Sequence, residues 1–189
     1  MSTETLARAF ATTRNVLGNV KADQLEDPTP CESWKVKDLI NHIVGGPYFF
    51  AASTKDGTSP EDGSGGKDYT AADIVAAFDQ GVAAAVAAFD TPGALEKLVK
   101  LPFGQMPGAA LMDIATTDTF THAWDLARAT GQDSDLDPEL AMQLLAGAQV
   151  AIHDSSRGPD GKALFGQQQD APPNATEADK LAAFLGRKV

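Results

Sequence analysis

The sequence predicts an all-α protein, a helical bundle with one extra short helix and irregular loops. Three observations carry that prediction. Apolar residues return at helical intervals in five long segments, proline, glycine or capping residues mark the breaks between them, and little of the chain alternates persuasively as strand. At 189 residues the chain is expected to form one domain, 1–189, long enough to bury a core of its own.

Taken in order, Leu6, Phe10, Thr13, Leu17 and Val20 repeat at 4-3-4-3 spacing and predict a first helix over about 3–20. Asp27-Pro28-Thr29-Pro30 is a loop, because its prolines resist helix. A second helix starts near Trp34 or Val36 with an apolar face of Val36, Leu39, Ile40, Ile43 and Val44, and His42 lies at the flank of that face on the Leu39 side. Gly45-Gly46-Pro47 predicts a kink or an end near Pro47, although the pattern resumes weakly at Tyr48, Phe49 and Phe50. Residues 53–68 are polar and Gly-rich, the composition of a loop and of disorder.

Thr70 reads as an N-cap with Asp73 completing a capping box, opening a third helix that Ile74, Val75, Phe78, Val82, Val86 and Phe89 carry to about Asp90. Its alanines permit close approach to a neighbour. Thr91-Pro92-Gly93 breaks the chain, and 95–103 alternates in part, so an extended reading stays open. The turn Gly104-Gln105-Met106-Pro107-Gly108 feeds a fourth helix with Pro107 at its first position, and Gly131 closes it at C′. Asp137-Pro138 opens a fifth helix with an apolar side of Ala141, Leu144, Leu145, Ala148 and Ile152. A Gly/Pro/Gln-rich segment, 157–175, leads to Thr176 and Asp179, a second capping box, and a short last helix through Leu185 that ends at Gly186.

Composition narrows the function classes. A net charge of −11 argues against nucleic acid and against anionic membrane surfaces. One cysteine excludes an internal disulfide framework or a Cys-rich zinc site and suits a reducing, cytoplasmic setting. The N-terminus lacks the basic start and apolar run of a signal peptide, and no stretch reaches the roughly 20 apolar residues of a membrane span. A small-molecule substrate is the expected partner, and a homodimer is compatible with the chain.

The chemistry concentrates in the fourth helix. Positions 111, 115, 118, 122, 125 and 129 fall on one face, and Asp118, His122 and Asp125 interrupt its apolar stripe. A lone histidine such as His42 is ordinarily structural, and an Asp–His pair at i, i+4 is common on solvated faces. Together, Asp118, His122 and His42 could close on one divalent cation and leave a position open. Two imidazoles and a carboxylate suit zinc first, with nickel or iron as alternatives. Asp125 is read either as an acceptor orienting a histidine or as a surface acid paired with Arg128, with the weight on a structural role. His153, near the end of the fifth helix, is read as structural or exposed and kept as a spare ligand, Cys31 as a buried inert thiol, and Trp34 and Trp124 as packing residues. No nucleophile elbow, phosphate loop or dinucleotide fingerprint is present, since Gly63-Ser64-Gly65-Gly66 follows no strand.

The stretch Thr29-Pro30-Cys31-Glu32-Ser33-Trp34-Lys35-Val36-Lys37-Asp38-Leu39-Ile40-Asn41-His42 resembles the TPCxxWxVxDLxxH segment of the DinB-like metal-binding family, in its actinobacterial group related to the N-terminal domain of mycothiol-dependent maleylpyruvate isomerase. Thr121-His122-Ala123-Trp124-Asp125-Leu126-Ala127-Arg128-Ala129-Thr130-Gly131 is similar to the matching THxWDLAxATG segment, and Leu181-Ala182-Ala183-Phe184-Leu185-Gly186-Arg187 to the LLAFLGR ending. The resemblance implies a DinB-like four-helix bundle and one metal held by His42, Asp118 and His122. The isomerase relatives carry glutamate where this chain has Asp118, and other DinB-like proteins carry histidine. A counterpart of the isomerase's second domain is not expected in this chain, so the resemblance does not imply maleylpyruvate as substrate.

From residues and resemblance together, the first functional expectation is a metal-dependent transferase or isomerase in which mycothiol, held as a thiolate at the metal, acts on an electrophilic small molecule. The alternatives are a non-catalytic metal-containing or small-molecule-binding bundle, and a metal-assisted hydrolase.

Overall fold

The computed structural model describes residues 2–60, 67–159 and 162–189. Helix α1, Thr3–Leu17, opens on a capping box in which the Ser2 hydroxyl accepts from the Thr5 amide and the Ser2 amide donates to the Thr5 hydroxyl. Leu6, Phe10, Thr13 and Leu17 are buried as the spacing requires. The helix stops a turn short of residue 20, because beyond Gly18 the amides of Asn19 and Val20 reach carbonyls three residues back and tighten the chain out of α geometry.

Helix α2, Val36–Asp56, departs from expectation by running on through Pro47. An interior proline costs about 3 kcal/mol, and the packing around it is what offsets that. Gly45, Gly46 and Pro47 are all buried, and helix α3, Ile74–Phe89, presents Gly81 to them. The approach there is so close that a Cβ at Gly81 would lie 2.9 Å from the Tyr48 ring and 3.2 Å from Pro47 Cβ. The Tyr48 hydroxyl donates to the Ala77 carbonyl at 2.8 Å across the same seam. The helix continues to Gly57, so residues 53–56 of the expected loop are helical, while 61–66, including Gly63-Ser64-Gly65-Gly66, lie outside the described residues.

The cap of α3 is Asp73, whose carboxylate accepts from the Ala76 amide at 3.0 Å, rather than Thr70. Thr70 is engaged one step earlier, donating from both its amide and its hydroxyl to Asp68. Strands β1, Leu98–Leu101, and β2, Gly104–Pro107, pair antiparallel in a short hairpin. It turns Val99 and Leu101 into the core and bonds to the end of α2 through Lys100 and Gly57. The sequence expected a turn at 104–108 where β2 stands.

Helix α4, Gly108–Ala129, ends on Gly131 at φ 67°, with the Gly131 and Gln132 amides bonded to the Arg128 and Ala127 carbonyls. Helix α5, Pro138–Ala151, is capped by Asp137, which is also clamped by Arg8 of α1 at 2.6 and 3.0 Å. His153 therefore lies past the end of α5, exposed, and not on it. Helix α6, Glu177–Phe184, begins with the predicted Thr176–Asp179 capping box.

The protein is an all-α bundle in which α1 to α4 pack around one apolar core, with Leu6, Phe10, Leu39, Ile40, Phe78, Phe89, Leu111 and Met112 at its centre. A second core of Phe120, Trp124, Leu140, Leu144 and Leu181 lies between α4 and the pair α5–α6. Helix α4 is thus covered on both sides, and residues 119–127 are buried all round. Among the described residues, no helix is long and apolar enough to cross a membrane.

Candidate metal centre

Two adjacent helices bring the three expected ligands together. The α2 helix carries His42 two turns from its start, while α4 carries Asp118 and His122 one turn apart on the face turned to α2. One ligand atom from each of the three lies within 4.8 Å of the others. His42 Nε2 stands 3.4 Å from one Asp118 oxygen and His122 Nε2 stands 3.5 Å from the other. The Trp34 indole packs against both imidazoles, at centroid distances of 4.7 Å to His42 and 5.5 Å to His122. The packing role expected for Trp34 is thus played on the histidines themselves.

Behind His122 lies a second group. Asp125 has no exposed surface, and its Oδ2 is 2.9 Å from His122 Nδ1 and 3.3 Å from Cys31 Sγ. Its cation is Arg187, just beyond α6, which donates from Nε to Oδ1 at 3.2 Å and from Nη2 to Oδ2 at 3.0 Å. Arg128, the partner weighed on sequence, instead lies over the Trp124 ring. Of the two readings of Asp125, the one in which it orients a histidine matches these contacts. Cys31, read as buried and inert, is half-buried and touches this group through Asp125 and Arg187. Sequence reasoning missed Arg187, and the LGR ending was its only local signal.

Burial pushes the Asp125 carboxyl up, but the Arg187 charge and the His122 hydrogen bond outweigh it and bring it down to about 2. An ionised carboxylate only accepts, so His122 carries a proton on Nδ1, and Nε2 is the ring atom turned to Asp118. Burial also pushes Asp118 up and His122 down, yet their mutual attraction, with His42 acting on Asp118, reverses both. Asp118 is held below the usual carboxylate range and His122 well above the usual imidazole value.

Two imidazole nitrogens turned on one carboxylate call for a cation between them. A proton can serve, but separations of 3.4 and 3.5 Å are long for charge-assisted hydrogen bonds. One possible ligand atom from each of the three residues lies within 4.8 Å of the others, close enough to gather on a single ion. The donor set therefore fits a divalent metal. The shorter side chain of Asp118 is no obstacle, since its two oxygens already reach both imidazoles.

These shifts set a pH window for the metal-free protein. The lowered Asp118 and Asp125 contribute stability above their unfolded value near 3.8, lost as pH falls, with Asp125 alone worth about 2 kcal/mol. The raised His122 contributes below its unfolded value near 6.5, and that part is lost as pH rises through its folded value. Thermal midpoints of chelator-treated protein are expected to be highest between about pH 4 and 6.5. A midpoint that climbs steadily from pH 5 to 8 contradicts the pairing.

A family model described as the mycothiol maleylpyruvate isomerase N-terminal domain matches residues 6–127. Two curated proteins of Mycobacterium tuberculosis are similar over most of the chain: Uncharacterized protein MT0763 of strain CDC 1551 / Oshkosh and Uncharacterized protein Rv0738 of strain ATCC 25618 / H37Rv. Each is 45% identical over 177 residues, covering 92% of this chain and 91% of the relative. No solved structure gives a significant match.

Proposed function

Because the chain belongs to the mycothiol maleylpyruvate isomerase N-terminal domain family, we propose that it is a metal- and mycothiol-dependent S-transferase or isomerase acting on an electrophilic small molecule. The observation that carries the reading is that His42, Asp118 and His122 each place a possible ligand atom within 4.8 Å of the others. A divalent ion held there, zinc before nickel or iron, supplies a Lewis acid that lowers the pKa of a thiol presented to it.

The side chains divide the work around that point. His42 and His122 each present Nε2, and Asp118 supplies the one negative charge among the three ligands. A dication is then only partly neutralised, and the remaining positive charge favours an anionic thiolate over a neutral thiol. Asp125 holds the His122 ring in one tautomer and orientation. Trp34 covers one side of both rings and keeps water from it. The side chains of His42 and Asp118 are partly exposed while His42 Nε2 itself is buried, so a thiol would have to enter past those two side chains.

Calorimetric titration of zinc-loaded protein with mycothiol tests this directly. The expected result is saturable binding that disappears in metal-free protein and in Asp118→Asn. Binding of zinc without any heat from mycothiol removes the thiol chemistry and leaves a hydrolase or a metal-containing binding bundle. Less than about a tenth of an ion per chain after loading removes the metal as well.

A further inference from the structure

We infer that Arg187 is a positioning residue of the metal centre: through Asp125 it fixes the His122 ring, so that docking of the C-terminal segment and binding of the cation favour one another. The inference rests on the metal reading above and goes beyond it, because Arg187 belongs to neither helix that carries a ligand.

The chain delivers this arginine by a built turn. Gly186 has φ 101°, and a Cβ there would lie 2.5 Å from Gly166 Cα, so both the backbone and the contact require glycine. Past that turn the Arg187 amide bonds back to the Ala182 carbonyl at 2.9 Å and the side chain enters the protein, 14% exposed. Four of its contacts are polar: both Asp125 oxygens, the Leu185 carbonyl and Cys31 Sγ.

Asp125 shows why the arginine matters to the histidine. Its Oδ2 accepts from His122 Nδ1, Cys31 Sγ and Arg187 Nη2 together, while its Oδ1 accepts from Arg187 Nε. The guanidinium therefore grips the carboxylate at both oxygens and sets its plane. Removal of that grip leaves a buried carboxylate held only along one edge, free to turn away from Nδ1. The His122 ring then loses the partner that commits Nε2 to the cation. Coupling of this kind is reciprocal, so an ion bound at Nε2 must in turn stabilise the docked tail.

The test compares zinc affinity, by chelator competition, in wild type, Arg187→Lys, Arg187→Met and the charge-free pair Asp125→Asn/Arg187→Met. The double variant is included because Arg187→Met alone leaves a buried anion poorly compensated and can fail to fold. Arg187→Met and the double variant are expected to bind zinc roughly 10- to 100-fold more weakly, with Arg187→Lys recovering part of the loss. A merely structural arginine would not move a second readout: hydrogen exchange at the Gly186 and Arg187 amides of wild type, expected to slow when zinc is added. If zinc binds wild type and the folded variants within about twofold of one another, or if those amides exchange equally fast with and without zinc, the positioning role falls and the metal reading stands. Wild type that binds no zinc overturns both.

Discussion

His122→Ala is expected to strip the protein of zinc, and His42→Ala to do the same, while far-ultraviolet circular dichroism stays close to wild type. Each histidine offers one of the three donors of the proposed site. The loss should therefore exceed the roughly 10- to 100-fold that an outer hydrogen-bond partner of a metal ligand is worth. The helices survive because neither imidazole belongs to the two apolar cores that hold the bundle together. His122→Ala is the more severe of the pair. It also deprives Asp125 of one of its donors, leaving Arg187 and Cys31 to hold a fully buried carboxylate. Elemental analysis of the purified, zinc-treated variants decides the matter. Retention of near one ion per chain in both would mean that the cation, if any, is held elsewhere.

The second large effect is on stability. Trp124 is fully buried in the core between α4 and α5–α6, and its indole N–H donates to Asp179 at 2.9 Å. Asp179 belongs to the capping box of α6, so one side chain both fills the second core and tethers the last helix. Trp124→Ala is expected to cost about 3–5 kcal/mol. For a chain of this size that corresponds to a fall in melting temperature of roughly 6–20 °C. Differential scanning calorimetry of wild type and variant at one pH measures it. A fall of less than about 3 °C would mean that the second core collapses around the gap or contributes little.

How much of this was legible in the sequence follows from which interactions are local. The helices and most of their caps were readable, because 3.6-residue periodicity and residues such as Asp137, Thr176 and Gly131 act within a few positions of themselves. The triad was readable for a related reason, since Asp118 and His122 break the apolar phase of their own helix. Of the kink or end expected at Pro47, the end is overturned, because local propensity does not register the close seam with Gly81 of α3 across which the helix runs on. Thr70 and Asp73 offered two capping solutions of similar quality, and Asp68, by occupying Thr70, left the cap to Asp73. Partial alternation over 95–103 allowed an extended segment where β1 stands, but β2 lies in residues that read as a turn, so the pairing into a hairpin stayed hidden. Nor could Arg187 be assigned to Asp125 across 62 positions, because nothing local links a terminal arginine to a mid-helix acid.

The two tryptophans occupy unequal surroundings, and that inequality is itself useful. Trp34 lies against both imidazoles of the proposed site, whereas Trp124 sits in the far core beneath Arg128. With Trp124 replaced by phenylalanine, the remaining indole emission comes from a chromophore touching His42 and His122, and an ion binding at the proposed site would change it without any attached label.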